Sequence, residues 1–437
     1  MIVVRQIIVL ARPALRKLNR YPGGGLVLFG IMLLAAQCQG PPTLPLPTPP
    51  TGSVIRIALL YPATGELATF GRMLQSGSSM AFDEWNSRGG LLGHRIEWAV
   101  YDTDCQFDTA RQAVQQALDD GLHFIVGPLC SEAAIAAAGL AEAAQALMIS
   151  PTATHPLVTV SGQGQTRSTI FRAAFAFPWQ GEAAAHFAYE TLEARKAALV
   201  ADPTDDYAAS LTDVFARTFE GLGGDIVYQA APPSSEPDFS GILETIFVSQ
   251  ADIIYLPAMP AEANRFASYL TALRPLASAE TSAAPILLGS DRWASGELDL
   301  VALAGSYYTT HFVLEDPRPA VQSWREAYKS IYATEPNTLA ALGYDAAMIL
   351  ATAIEQAGSF ETTLVAQTLA EGNYAGVTGQ ISFDGSHNPS KPVPVVRIEA
   401  GQRKFMRLIE GQPETLNFQF GCSIPVAGNC PTIARVF

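Results

Sequence analysis

Charge is scarce in this sequence. Asp, Glu, Lys and Arg make up 16% of residues against 49% hydrophobic ones, a balance that excludes a disordered chain and suits large buried cores. Basic residues are the scarcer sign, 27 Lys and Arg facing 41 Asp and Glu for a net charge of -14. The body of the chain carries no Lys/Arg cluster, so nucleic acid is excluded as a partner. The acidity itself reads as solubility. Signatures of catalysis are missing as well: there is no GxSxG, no HExxH and no phosphate-binding P-loop. The six histidines are scattered, and His123, His155 and His186 fall in strand-edge, turn and helix contexts that suit structural roles. No CxxC and no nearby His pair accompanies the five cysteines, which argues against a metal site. No enzyme, no cofactor and no metal is expected.

What is present starts with a targeting segment. Arg5, Arg12, Arg16, Lys17 and Arg20 precede an apolar run from Leu26 to Ala36 that ends at Cys38, a run too short to span a membrane comfortably. Leu33-Leu34-Ala35-Ala36-Gln37-Cys38 resembles a bacterial lipobox, with Cys38 as the acylated residue, although Gln37 stands where Gly or Ala is usual. An uncleaved anchor that includes Ile2 to Leu10 is the alternative, and either route places the body outside the cytoplasm, tethered to a membrane. Residues 39–52 are proline-rich and form an extended spacer. Cys105, Cys130, Cys422 and Cys430 are an even set in an exported chain, so two disulfides between sequence neighbours are expected.

At 437 residues the chain exceeds one ordinary core, and two lobes are expected. From Val54 onward, short apolar runs alternate with amphipathic stretches in the manner of βαβ units. Asp108 is a helix cap, Ala110, Ala113, Val114, Ala117 and Leu118 form one stripe at helical spacing, and Gly121 stops the helix. The run 124–126 is a strand, Ser131 caps an alanine-rich helix, and 147–149 begins the next strand. The same pattern resumes at 196–200, 251–255 and 285–288, and 273–284, rich in Ala and Ser, reads as a loop or insertion. Ligands bind beyond the carboxyl ends of such strands, which nominates the loops 61–71, 127–132, 150–156, 201–208, 256–262 and 289–293.

Those loops carry a resemblance. The segments IRIALLYPATGELATFG (55–71), AFDEWNSRGGLLGHRIE (81–97), DTDCQFDTARQA (102–113), FIVGPLCSEAA (124–134), MISPTATHP (148–156), YDAAMIL (344–350) and GQISFDGSHNPSKPVPVVRIEAGQRKF (379–405) are similar to the leucine/isoleucine/valine-binding family of type I periplasmic binding proteins of ABC importers. The resemblance implies an α/β fold of two doubly wound parallel-sheet lobes joined by a three-stranded hinge. It places residues 53–174 plus 313–381 in lobe 1 and 175–312 plus 382–415 in lobe 2. The anchor occupies 1–38, and the tail 416–437, with its own cysteine pair, extends past the family pattern.

In family terms, Ser131 at a helix N-terminus and Thr154 hold a ligand α-carboxylate. The Thr152 carbonyl accepts from the ammonium, Phe70 packs on the ligand, Tyr207 covers it, and Asp291 faces the ammonium. Taken singly, Ser131 is also an ordinary cap, Phe70 an ordinary core residue and Asp291 an ordinary turn residue. Ala258 stands where leucine-binding members carry a second tyrosine, which implies a wider pocket, and Arg292 with Trp293 leaves room for a ligand with a second acidic or polar group. The implied function is capture of a branched-chain or related amino acid by a monomer that closes its two lobes and serves a membrane permease. A sensor module for amides, urea-like compounds or small organic acids is the alternative.

Overall fold

The first apolar run, Val54–Tyr61 (β1), becomes a central strand. It is paired in parallel with Arg95–Asp102 (β2) on one side and Phe124–Val126 (β3) on the other. Helices cover both faces, so its last five residues are all buried as one continuous apolar run. The structure is a computed structural model that describes residues 53–410, except 234, 236–237, 274–283 and 295–296. The expectations for Cys38, the spacer, the Cys422–Cys430 pair and most of the 273–284 segment therefore lie outside the described residues.

Leu147–Ser150 (β4) and Ile170–Arg172 (β5) complete a five-stranded parallel sheet in the order β2-β1-β3-β4-β5. Its helices are Ala68–Ser87 (α1), Phe107–Asp119 (α2) and Ser131–Ala143 (α3). In α2 the predicted stripe faces inward, with Ala110, Ala113, Val114 and Ala117 buried. Asp108 is not its cap. The ladder already begins with the Ala110 N–H donating to the Gln106 carbonyl at 2.9 Å. Gln106 is therefore the cap, and Asp108 sits in the first turn, where its charge still complements the helix dipole. Gly121, at φ +78°, ends the helix as expected.

The second sheet has seven strands. Lys196–Val200 (β6), Asp225–Ala230 (β7), Ile253–Tyr255 (β8), Ile286–Gly289 (β9) and Tyr307–Thr309 (β10) are parallel. Further along the chain, Val393–Glu399 (β14) and Gln402–Ile409 (β15) add an antiparallel edge. Phe177–His186 (α4), Asp206–Gly221 (α5), Ser240–Ser249 (α6) and Pro260–Leu273 (α7) flank this sheet. One apolar cluster gathers Phe215 and Tyr255, and another gathers Phe239, Phe266 and Trp293.

Between β10 and β14 the chain returns to the first sheet as Pro319–Tyr332 (α8), Thr338–Ala357 (α9) and Thr362–Glu371 (α10). Asn373–Gly376 (β11), Gly379–Phe383 (β12) and Pro389–Ser390 (β13) then form a small antiparallel sheet. Helix α9 lies directly on α1 at two glycines. A methyl group at Gly77 would meet the Ala340 carbonyl oxygen at 1.9 Å, and one at Gly343 would meet that of Leu74 at 2.5 Å. Tyr61, Phe82, Trp324 and Tyr344 fill the core beside them. The fold is thus α/β, two doubly wound parallel sheets connected three times, through 173–176, 310–318 and 391–392.

Candidate functional site

At the carboxyl end of the first sheet, two loops are laced together. Gly127, at φ +124°, lies so close to β1 that an added methyl would sit 2.3 Å from the Leu60 carbonyl oxygen, which explains the glycine and brings the following turn over the strand end. The peptide between Gly127 and Pro128 is cis. Ser150 Oγ donates to the Pro128 carbonyl at 2.8 Å, Thr152 Oγ1 donates to the Leu129 carbonyl at 2.6 Å, and the Ala153 N–H donates to Ser150 Oγ at 3.1 Å. The Cys105–Cys130 disulfide, with Cα atoms 5.5 Å apart, pins the same turn from the other side, as the pairing of neighbours anticipated.

Ser131 is the first residue of α3 and not its cap. Cys130 takes the cap position because its backbone is extended, and Ser131 makes no capping bond to the helix. Its Oγ instead accepts from the His155 N–H at 3.4 Å, which leaves the hydroxyl proton to donate outward. The first intrahelical bond comes from the Ala134 N–H to the Cys130 carbonyl at 2.9 Å. The N–H groups of residues 131–133 therefore stay outside the ladder and give the helix end its positive character. Thr154 sits beside them, partly exposed.

A guanidinium organises this loop from below. Arg172, fully buried, donates to the carbonyls of Ala153 at 3.0 Å and His155 at 2.8 Å, and to Thr159 Oγ1 at 3.1 Å. Burial pulls its proton affinity down to about 9 despite the distant Asp384 charge. Burial, together with the Arg172 charge, also lowers His155 to about 4. His155 stays neutral at physiological pH, its Nδ1 accepting from the Leu157 N–H at 3.1 Å.

The second sheet contributes a carboxylate with three donors. Asp291, in the turn after β9, receives Gln180 Nε2 at 3.1 Å and the Tyr207 hydroxyl on Oδ1. His311 Nε2 lies 3.4 Å from its Oδ2. Burial alone would raise this carboxyl. The bonds from His311, Tyr207 and Gln180 outweigh it and hold Asp291 below the usual carboxylate range. Its side chain is still 23% exposed, so an ionised oxygen remains within reach of the solvent side. Gln180 is fixed in turn by donating to Thr309 Oγ1 at 2.9 Å. Tyr207 lies at the start of α5, where Asp205 caps the helix by accepting from the N–H groups of Tyr207 at 3.1 Å and Ala208 at 3.2 Å.

The two halves meet through aromatic rings. Phe177 stands edge-on to His155 at 6.0 Å and edge-on to Tyr207 at 6.3 Å, and its N–H donates to the Thr154 carbonyl at 3.3 Å. Ser131, Thr152 and Thr154 thus share one loop system, Tyr207 and Asp291 are directly bonded, and a single ring joins the groups. Phe70 lies in the first turn of α1 and is 39% exposed, which removes the core reading.

Two neighbours of Asp291 are engaged within the protein. Trp293 is wholly buried, with its indole N–H donating to the Ala258 carbonyl at 3.2 Å and its ring packed where Gly289 has no side chain. Arg292 forks onto Asp205, with Nη2 to Oδ1 at 3.1 Å, and lies 4.3 Å over the Tyr207 ring. Both residues build the wall behind the carboxylate. Gln180, Thr309 and His311 went unnoticed in the sequence. Gln180 carried a usable signal, a polar residue amid the apolar FPWQGEAAAH of α4.

Among the described residues no group of His, Cys, Asp and Glu is arranged to hold a metal ion. Residues 54–403 match the family described as periplasmic binding protein. The leucine-, isoleucine-, valine-, threonine- and alanine-binding protein of Pseudomonas aeruginosa is 26% identical over 76% of this chain and 86% of its own length. Among solved structures, the leucine-binding protein of Thermotoga maritima superposes with a TM-score of 0.66 at 31% identity, covering 82% of this chain and 99% of that one. The branched-chain amino acid substrate-binding protein of Streptococcus pneumoniae, in complex with isoleucine, gives 0.66 at 26% identity, covering 82% and 100%.

Proposed function

Because this chain belongs to the periplasmic binding protein family, we propose that it captures a branched-chain or related α-amino acid outside the cytoplasm and delivers it to the permease of an ABC transporter. The observation that carries this reading is Asp291, kept ionised by three donors on the second sheet and joined through the Phe177 ring to the open N-terminus of α3. A zwitterion suits that polarity. Its carboxylate takes the unpaired N–H groups and hydroxyls of Ser131 and Thr154, and its ammonium takes the Asp291 carboxylate and the Thr152 carbonyl. Tyr207 and Phe70 cover the aliphatic part, and the commitment of Arg292 to Asp205 disfavours a second acidic group on the ligand.

In this reading lobe 1 comprises 53–174 plus 313–390 and lobe 2 comprises 175–312 plus 391–410, the last boundary moved on from residue 381 because β13 still pairs with β12. A ligand that touches both when they close stabilises the closed state, the state a permease recognises. No bond is made or broken in the ligand. The N-terminal segment tethers a monomer to the membrane, through Cys38 or through an uncleaved anchor. Calorimetry of the full-length chain with L-leucine, L-isoleucine, L-valine, acetamide and benzoate tests the assignment. Binding of the amino acids in preference to the other two is expected, and binding of benzoate or acetamide without the amino acids would overturn it.

A further inference from the structure

One residue from each of the three crossings converges on a single stack. Phe175 comes from the first, His311 from the second and Lys391 from the third, and all are buried. The rings of Phe175 and His311 are stacked with centroids 3.7 Å apart and planes 23° from parallel, and Lys391 Nζ sits 5.7 Å from the Phe175 centroid on its face. Lys391 donates to Thr378 Oγ1 at 2.8 Å, and Thr378 donates through N and Oγ1 to the buried Asp345 of α9 at 2.9 and 2.6 Å. Toward the other lobe, His311 Nε2 reaches Asp291 Oδ2.

Resting on the ammonium role assigned to Asp291, we propose that His311 is a positioning residue for ligand capture: it aims the Asp291 carboxylate from the hinge, so that a proton on its imidazole and a ligand's ammonium compete for that carboxylate. The neutral Nε2–H tautomer supplies one donor to Oδ2 and leaves Nδ1 as a bare lone pair, and among the described residues Nδ1 has no hydrogen-bond partner. Protonation would place an N–H at Nδ1 with nothing to accept it.

The charged and titratable groups facing the ring divide. Asp291, itself bonded to Tyr207 and Gln180, favours the imidazolium, while Lys391 behind Phe175 opposes it. Burial leads, with Lys391, in holding His311 below the ordinary histidine range. At neutral pH the ring is therefore a donor without charge and Asp291 keeps its full attraction for an ammonium. In acid the pair becomes internally neutral, and the attraction is cancelled from within. Because the ring is stacked on Phe175 of the first crossing, and Lys391 of the third lies over that same Phe175, the same event reaches the segments that must bend when the lobes close.

The test is calorimetry of the full-length chain with L-leucine across pH 8 to 4.5, with 4-methylpentanoate as the probe that lacks the ammonium. The leucine affinity holds at neutral pH and then falls by up to about tenfold per pH unit on the acid side, while the 4-methylpentanoate profile lacks this limb once the protonation of that probe's own carboxyl is allowed for. His311→Gln keeps a donor for Oδ2 without a titrating ring, so it binds leucine about three- to tenfold more weakly at pH 7.5 but shifts the acid limb downward. His311→Leu loses more affinity and is not rescued at any pH. Where a variant fails to fold, imidazole NMR of the wild-type chain decides: the His311 titration must move to lower pH when leucine is added. An unchanged acid limb in His311→Gln, or a His311 titration indifferent to leucine, would overturn the proposal while leaving amino acid capture standing. Absence of leucine binding at pH 7.5 would overturn the functional reading and this inference with it.

Discussion

Arg292 lies over the Tyr207 ring, 4.3 Å from its centroid, while its guanidinium is clasped by Asp205. The same Asp205 caps the helix that carries Tyr207, so one carboxylate fixes both the backbone and the face of the ring that bonds Asp291. Rigidity of this kind matters for a captured ammonium, because a carboxylate that need not be reoriented costs less to engage. The Asp291→Asn variant keeps the shape and removes the charge. Its affinity for L-leucine should fall about 100-fold, roughly 3 kcal/mol, and that for 4-methylpentanoate much less. Equal losses for both ligands, measured by calorimetry at pH 7.5, would show that Asp291 does not face the ammonium.

Arg172 is the corresponding support in the other half. Its guanidinium satisfies the Ala153 and His155 carbonyls and the Thr159 hydroxyl in a site without water access. Replacement by Met takes this donor from the buried Ala153 carbonyl, while the His155 carbonyl keeps the Val158 N–H at 3.2 Å and the Thr159 hydroxyl keeps its bond to Asn388 at 3.2 Å, at a cost of about 1–3 kcal/mol. Urea unfolding should register this loss, and leucine affinity should fall with it, since the loop that carries Thr152 and Thr154 loses its support.

The Cys105–Cys130 link closes a stretch with a sequence separation of 25, for which the chain-entropy model gives about 3.5 kcal/mol. Cys105→Ser/Cys130→Ser should lower the urea midpoint by a corresponding amount. If the disulfide also holds the start of α3, leucine affinity falls too.

Glu262, in the first turn of α7, is buried. Burial, opposed by Arg265 and reinforced by Asp202 and Asp205, lifts its carboxyl from 4.5 to about 7. The folded state therefore holds this proton more tightly than the unfolded one, and the contribution is present below pH 4.5 and lost as pH rises to about 7. Glu262→Gln should raise the melting temperature at pH 8, by the equivalent of about 1–2 kcal/mol, and have little effect near pH 4.5. A gain of the same size at both pH values would contradict the assignment.

Much of this architecture was legible in the sequence. The runs 124–126, 147–149 and 196–200 stood out because buried parallel strands are continuously apolar, and the rule that ligands gather at strand exits led to the loops of Ser131, Thr154, Tyr207 and Asp291. His311 escaped because Tyr307–Thr309 is a three-residue strand, too short to show a pattern, so its exit loop was never considered. Gln180 escaped because its partners, Asp291 and Thr309, lie 111 and 129 residues away, and pairing at that range leaves no local trace. Caps were misplaced by one or two residues, at Asp108 and Ser131, because sequence shows which residues favour a cap but not where the hydrogen-bond ladder begins.

The glycine contact between α1 and α9 also bears on how this molecule comes into being. Leu74 and Ala81 are buried in the core that α9 completes, and α9 begins only at Thr338. A nascent or half-exported chain carries that greasy flank uncovered until most of its length has emerged. The N-terminal sheet must therefore wait for a late helix before it can be sealed, and chains truncated ahead of residue 338 should accumulate as sticky, protease-sensitive fragments.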